Sequence, residues 1–325
     1  MHPRTCRKGV SAILNRKTMM VVIKLGITAL LLAAVLYYVN VHALWQKVRS
    51  VDPRWLLYAW CCLVVGYVLC GIRWAWMAEG LGLTVSVSRK INLYFLGMFA
   101  SLFLPSTIGG DVLRGILLAK GEGRTGAGWQ ATASVLLDRI NGLYALSLLV
   151  SLAMLAFHWP LAWWLGWLGG VAAMWIGLVL YPRLHDRIPE RFAAIRSLPI
   201  NDRRLNVRWW RSLPVSFLFQ VLIVQAHVFL GMAVGLHMSW PAFAVMVGLV
   251  GLMAFVPISL NGLGVREAGY VGFAVYFGAD ASTAAALSVL WLVVLSLASL
   301  PGAVVLWRVG GLRAFAARRD SPSGV

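Results

Sequence analysis

The chain has 325 residues, of which 60% are hydrophobic and only 12% charged. A soluble domain carries roughly 25% charged residues, so that class is excluded. The formal net charge of +18 does not point to nucleic acid, because the basic residues lie in short segments beside apolar runs: Arg4 to Lys24, Arg89-Lys90, Arg183 to Arg211 and Arg308 to Arg319. Such placement marks cytoplasmic loops under the positive-inside rule and attracts anionic headgroups.

In chain order, residues 1–18 read as a basic cytoplasmic segment and 19–40 as a first span. The start resembles a signal sequence ending near Val41-His-Ala43, but the Val21–Val39 run is long for a cleavable signal, so an uncleaved anchor is expected. The second span, 55–78, holds Cys61, Cys62 and Cys70 and ends with Arg73-Trp74. With Cys6 outside it, no disulfide framework or metal-ligand spacing is visible. Arg73 is expected to snorkel to the cytoplasmic interface.

The next apolar piece, Ile91–Leu104, would be only about 21 Å long as a helix. That is too short to span comfortably, so it predicts one arm of a re-entrant hairpin with its tip near Pro105–Asp111. Spans follow over 130–155 and 160–181, the second opening on the Trp-rich block Trp159–Trp167. The 182–212 loop sets Ile188, Phe192, Ile195 and Leu198 at helical spacing among arginines, which predicts an amphipathic helix on the cytoplasmic surface. After a span over 213–236, two short apolar pieces, Pro241–Phe255 and Ala268–Phe277, predict a second hairpin. A last span, 282–307, leads to a cytoplasmic tail, 308–325.

The expected fold is therefore an all-α polytopic membrane protein with eight hydrophobic segments, six full spans and two re-entrant or broken-helix hairpins, in one domain over 19–307. With both termini, the 79–90 loop and the 182–212 loop in the cytoplasm, the first hairpin starts and finishes inside and the second outside. That pattern predicts an inverted-topology repeat.

The two interruptions look like copies of each other: Leu104-Pro-Ser-Thr-Ile-Gly-Gly-Asp-Val-Leu-Arg114 and Val256-Pro-Ile-Ser-Leu-Asn-Gly-Leu-Gly-Val-Arg-Glu267. Broken segments at corresponding places in two halves point to a transporter's binding site. Embedded charges are costly unless paired or wet. Here they comprise Asp111, Arg114, Asp138, Arg139, Arg266 and Glu267, three of each sign. Asp138-Arg139 lies deep in its span, and adjacent helical residues point about 100° apart, so the two cannot pair well with each other alone.

The functional reading has Arg114, Arg139 and Arg266 offering guanidinium forks to a phosphate. Gly109, Gly110, Gly262 and Gly264 would bring backbone N–H groups to the same anion. Pro105 and Pro257 would free backbone groups to line a cavity, with Ser106 and Asn261 in the same two turns. The structural alternative is an internal salt-bridge cluster that holds the hairpins together. Gln220 and His227 lie on one face of their span, which suits interhelical hydrogen bonds. No nucleophile with a base, metal cluster or phosphate loop is visible, so no catalytic residue, metal or cofactor is expected.

At these residues the chain resembles the lysylphosphatidylglycerol synthase transmembrane-region family, also called flippase-like membrane proteins. Arg73-Trp74, the Pro105-to-Asp111 turn with Arg114, Asp138-Arg139, and Pro257 to Gly264 with Arg266-Glu267 carry the resemblance, which runs from about Lys24 to Val309. It implies a membrane-embedded region that moves an aminoacylated phospholipid between leaflets when fused to an aminoacyl-transferase domain. That domain is absent here, so synthesis of the lipid is not implied. What carries over is lipid handling in a bacterial cytoplasmic (inner) membrane.

The leading expectation is a flippase for a phosphate-bearing lipid, either a phospholipid or a polyisoprenyl-phosphate-linked one, with anionic membrane lipids as partners and no nucleic acid. The competing readings are an accessory subunit beside lipid or glycan biosynthesis enzymes, and a membrane-embedded lipid transferase using Asp111, Asp138 or Glu267 as base.

Overall fold

The computed structural model describes residues 25–37, 39–104, 109–184, 203–255 and 262–308, together with Met19, Arg187 and Ser259. Among the described residues all regular structure is helical. The helices are α1 (Leu25–Tyr37), α2 (Val41–Arg49), α3 (Pro53–Gly80), α4 (Val87–Phe103), α5 (Gly109–Glu122) and α6 (Ala127–Met154). They continue as α7 (Leu161–Leu184), α8 (Arg203–Val234), α9 (Trp240–Phe255), α10 (Val265–Tyr276), α11 (Ala281–Ser299) and α12 (Pro301–Arg308). Five are long and apolar enough to cross a membrane, counting α11 with α12 as one, and the bent α1–α2 pair would make six.

Helix starts follow local chemistry. Asp52 accepts from the Arg54 N–H at 2.9 Å and Pro53 opens α3, where a missing N–H costs nothing. Asp280 accepts from the Thr283 N–H at 2.9 Å and starts α11. The frame is α3 laid antiparallel along α8, the most extensive helix contact, with α6 against both. Where Gly66 meets Phe219 and Gly80 meets Leu205, the two helices close together. Helix α7 buries none of its apolar span and touches only α6 extensively, as suits a helix that faces lipid.

Both broken segments fold as antiparallel pairs of short helices. In the first, α4 and α5 have 17 and 14 residues, about 25 and 21 Å long. Their open end is tied down by Glu122, which accepts from the Val85 N–H at 2.8 Å and the Thr84 hydroxyl at 3.0 Å. Gly110 packs so closely on Gly97 that a methyl group would overlap the Gly97 carbonyl and the Ser101 hydroxyl. In the second, α9 and α10 have 16 and 12 residues, about 24 and 18 Å. There Gly269 packs on Val250, and Gly248 of α9 packs on Val150 of α6. The α4–α5 pair opens at the amino-terminal end of α6, beside Gly82 and Arg124. The α9–α10 pair opens at the other end of α6, where Phe277 meets Phe157 and Trp159.

One expectation needs correction. Residues 203–212 are not part of a surface loop: α8 begins at Arg203, and Leu205, Trp209 and Ser212 are buried against the helix frame. The arginines there lie on the more exposed side and Leu205, Trp209 and Ser212 on the buried one, so the segment continues the span instead of lying flat. Ile188, Phe192, Ile195 and Leu198 lie outside the described residues. The chain turns by 85° between α1 and α2, at the end of the predicted 19–40 span. The last predicted span, 282–307, corresponds to Ala281–Arg308, within which Pro301 opens α12.

Candidate functional site

Five charged side chains from three helices form one chain of ion pairs in the protein interior. Arg73 of α3 donates from Nε to Asp138 Oδ1 at 2.7 Å. Arg114 of α5 donates from Nη2 to Asp138 Oδ2 and from Nε to Asp111 Oδ1, both at 2.9 Å. Arg139 then donates to the other oxygen of Asp111. Asp138 and Arg139 point to different partners, as their offset around α6 requires. Arg73, Arg114 and Asp138 are 4%, 3% and 1% exposed, so these charges persist only because each has a partner.

Aromatic and polar neighbours fix the arginines. The Arg114 guanidinium lies over the Trp74 ring at 4.6 Å and the Tyr94 ring at 4.7 Å, and its buried Nη1 has no hydrogen-bond partner. Such placement over an aromatic face offsets part of the missing bond. Trp74 is itself held by a 3.0 Å bond to the Ser134 hydroxyl. Arg73 Nη1 donates to the Ser216 hydroxyl at 3.1 Å; that hydroxyl donates to Asn141 Oδ1, and Asn141 donates to the Trp209 carbonyl at 3.2 Å. The relay joins α3, α6 and α8.

Arg73 therefore does not snorkel. It sits about 10 Å inside the end of α3, too deep for its head to leave the helix frame, and Asp138 holds it there. Counting Arg73, the embedded set becomes four arginines and three carboxylates, not three of each. Among the described residues the ion-pair chain has three guanidinium groups and two carboxylates. Its least buried cation is Arg139, whose side chain is 24% exposed.

The second turn builds a different centre. Gly264 has φ +81°, and its N–H donates to the Glu267 carboxylate in the first turn of α10. Its Cα packs against Thr28 and Leu31 of α1. The other Glu267 oxygen is buried without a hydrogen-bond partner. Arg266 lies within electrostatic reach of Tyr67, His227 and Tyr270. Tyr270 and His227 Nε2 are 2.8 Å apart, while His227 Nδ1 lies 2.8 Å from the Ile223 carbonyl and its ring 4.0 Å from that of Trp291. Gln220 donates to the Gly142 carbonyl at 3.2 Å, so the polar residues of α8 do bond between and along helices.

Of the predicted site residues, Asp111, Arg114, Asp138 and Arg139 come together, with Gly109 and Gly110 at the start of α5 beside them. Gly262, Gly264, Arg266 and Glu267 form the second centre. Pro105, Ser106, Pro257 and Asn261 lie outside the described residues. The two centres are neighbours: Tyr67 stands about 9 Å before Arg73 along α3 and packs on Tyr94, which covers Arg114. Sequence analysis missed Trp74, Tyr94 and Ser216 as members of the site. The depth of Arg73 in its helix was a signal for its role; the other three carried none. Among the described residues no three His, Cys, Asp or Glu side chains gather as a metal site.

Residues 21–302 match the family described as the lysylphosphatidylglycerol synthase TM region. The chain belongs to that family. No curated protein and no solved structure matches it. As a family member with several apolar membrane-length helices, it is an integral membrane protein, and the family ties it to lipid handling. The Arg73–Asp138–Arg114–Asp111–Arg139 chain is then the charged core of a lysylphosphatidylglycerol synthase TM region.

Proposed function

We propose that this protein is a flippase that moves a phosphate-bearing lipid between leaflets of a bacterial inner membrane, with both termini in the cytoplasm. The observation that carries this is the make-up of the ion-pair chain among the described residues: three guanidinium groups share two carboxylates, and Arg139 is the most exposed of the three arginines. A headgroup phosphate would exchange with Asp111 at the Arg139 guanidinium, which can donate two parallel hydrogen bonds to phosphate oxygens. Acyl chains would stay in the bilayer. The two helix pairs act as re-entrant elements of an inverted repeat, and their opposite openings support alternating exposure of one site. No catalytic role is assigned to Asp111, Asp138 or Glu267; the carboxylates hold arginines, and the protein is read as a transporter and not an enzyme.

The test is translocation of a fluorescent phospholipid in proteoliposomes. Arg139→Gln should leave a folded protein, because Arg73 and Arg114 keep their pairing with Asp138, and should slow headgroup movement at least about tenfold. Wild-type translocation by Arg139→Gln would sink the proposal and favour an organising role beside a lipid-synthesis enzyme.

A further inference from the structure

A second basic feature lies away from the buried chain, at the amino-terminal end of α8. Arg203, Arg204, Arg208 and Arg211 line an open recess of about 1000 Å³, whose far wall is Trp76 and Glu79 of α3. Among the described residues Glu79 is its only carboxylate, and Arg208 at 2.5 Å and Lys90 at 3.8 Å already share it. Arg203 and Arg211 are exposed and have no carboxylate within ion-pair distance among the described residues. The recess also faces the positive end of a 32-residue helix dipole.

Four arginines near a membrane surface could serve orientation alone, but that requires charge in a loop, not a fixed concave wall. This wall is fixed. On the opposite face of the same turns Leu205 and Trp209 are 2% and 6% exposed, and Asn141 holds the Trp209 carbonyl. Gly80 lets α3 approach until its absent methyl would lie 3.0 Å from Leu205 and 3.3 Å from Arg208. That buried face continues inward through Ser212 and Ser216, and Ser216 accepts a hydrogen bond from Arg73. A partner for this recess must be anionic, larger than a single ion and present at the membrane surface beside an interfacial tryptophan.

We infer that the recess is a docking site for the headgroup of an anionic phospholipid in the leaflet that contacts the start of α8. Docking here does not depend on translocation: retained lipid reads the recess, and headgroup movement reads Arg139. The protein, purified in detergent, is incubated with equal amounts of dioleoyl phosphatidic acid and dioleoyl phosphatidylcholine, and retained lipid is counted by native mass spectrometry. Wild type should retain phosphatidic acid selectively. Arg203→Gln/Arg211→Gln should lower that retention about tenfold at unchanged melting temperature without lipid. Arg49→Gln/Arg54→Gln, which removes the same charge at the other end of α3, should leave it intact. Unchanged retention in the recess variant, equal loss in both variants, or full displacement by an equal concentration of inorganic phosphate would each overturn the assignment.

Discussion

The two broken segments share a sequence pattern and use it differently. In the first, Asp111 turns away from its own backbone and links Arg114 to Arg139, so the segment is welded electrostatically to α6. In the second, Glu267 folds back onto the Gly264 N–H and serves its own helix. The glycines differ in the same way. Gly110 is required because α4 and α5 nearly touch there, whereas Gly262 and Gly264, at φ +75° and +81°, are required by backbone conformation. A Pro-Gly-Arg-carboxylate pattern thus specifies a broken helix, while its surroundings decide whether the carboxylate builds a network or a cap.

The sharpest way to break this contrast is to remove the hub of the network. Asp138→Leu leaves Arg73 buried without a carboxylate and Arg114 with Asp111 alone, which should cost about 3–5 kcal/mol and prevent recovery of folded protein. Size-exclusion chromatography and thermal melting in detergent would show it; a monodisperse variant melting like wild type would mean the network does not hold the helices together. Smaller effects should separate the glycines. Gly110→Ala forces apart two backbones and should cost about 2–3 kcal/mol, since no side-chain rotation relieves it. Gly262→Ala brings its methyl to 3.1 Å from the Ala254 methyl and 3.5 Å from its carbonyl oxygen, so the positive φ should dominate its cost, about 1–2 kcal/mol. If the two melting temperatures fall equally, packing and conformation do not distinguish the segments.

How much of this was legible in sequence follows the same division. The apolar runs gave the long helices to within a few residues: 55–78 became Pro53–Gly80 and 130–155 became Ala127–Met154. The depth of Asp138 and its divergence from Arg139 followed from helical geometry. Arg73 was misjudged because nearness to a helix end was weighed without its partner, which lies 65 residues away. At the start of α8 the arginines dominate the composition and read as a loop, although Leu205, Trp209 and Ser212 repeat on one face. Gly110 looked like a backbone donor for an anion; that it packs on Gly97 depends on how two helices cross, which no local pattern records.

The smallest effect tests the cap. If Glu267 acts only through the Gly264 N–H, then Glu267→Gln keeps an acceptor oxygen in place and should change stability by less than about 1 kcal/mol. Glu267→Ala, which removes the acceptor, should cost about 1 kcal/mol. Asp111→Asn alters charge as Glu267→Gln does, yet Asp111 sits between two guanidinium groups, so it should lower the melting temperature more than either Glu267 variant. The order Asp111→Asn, Glu267→Ala, Glu267→Gln, from most to least destabilised, is what a network in one segment and a cap in the other require. An equal loss for Asp111→Asn and Glu267→Gln would instead give Glu267 a charged partner, most simply Arg266 beside it, and make the two segments electrostatic equals.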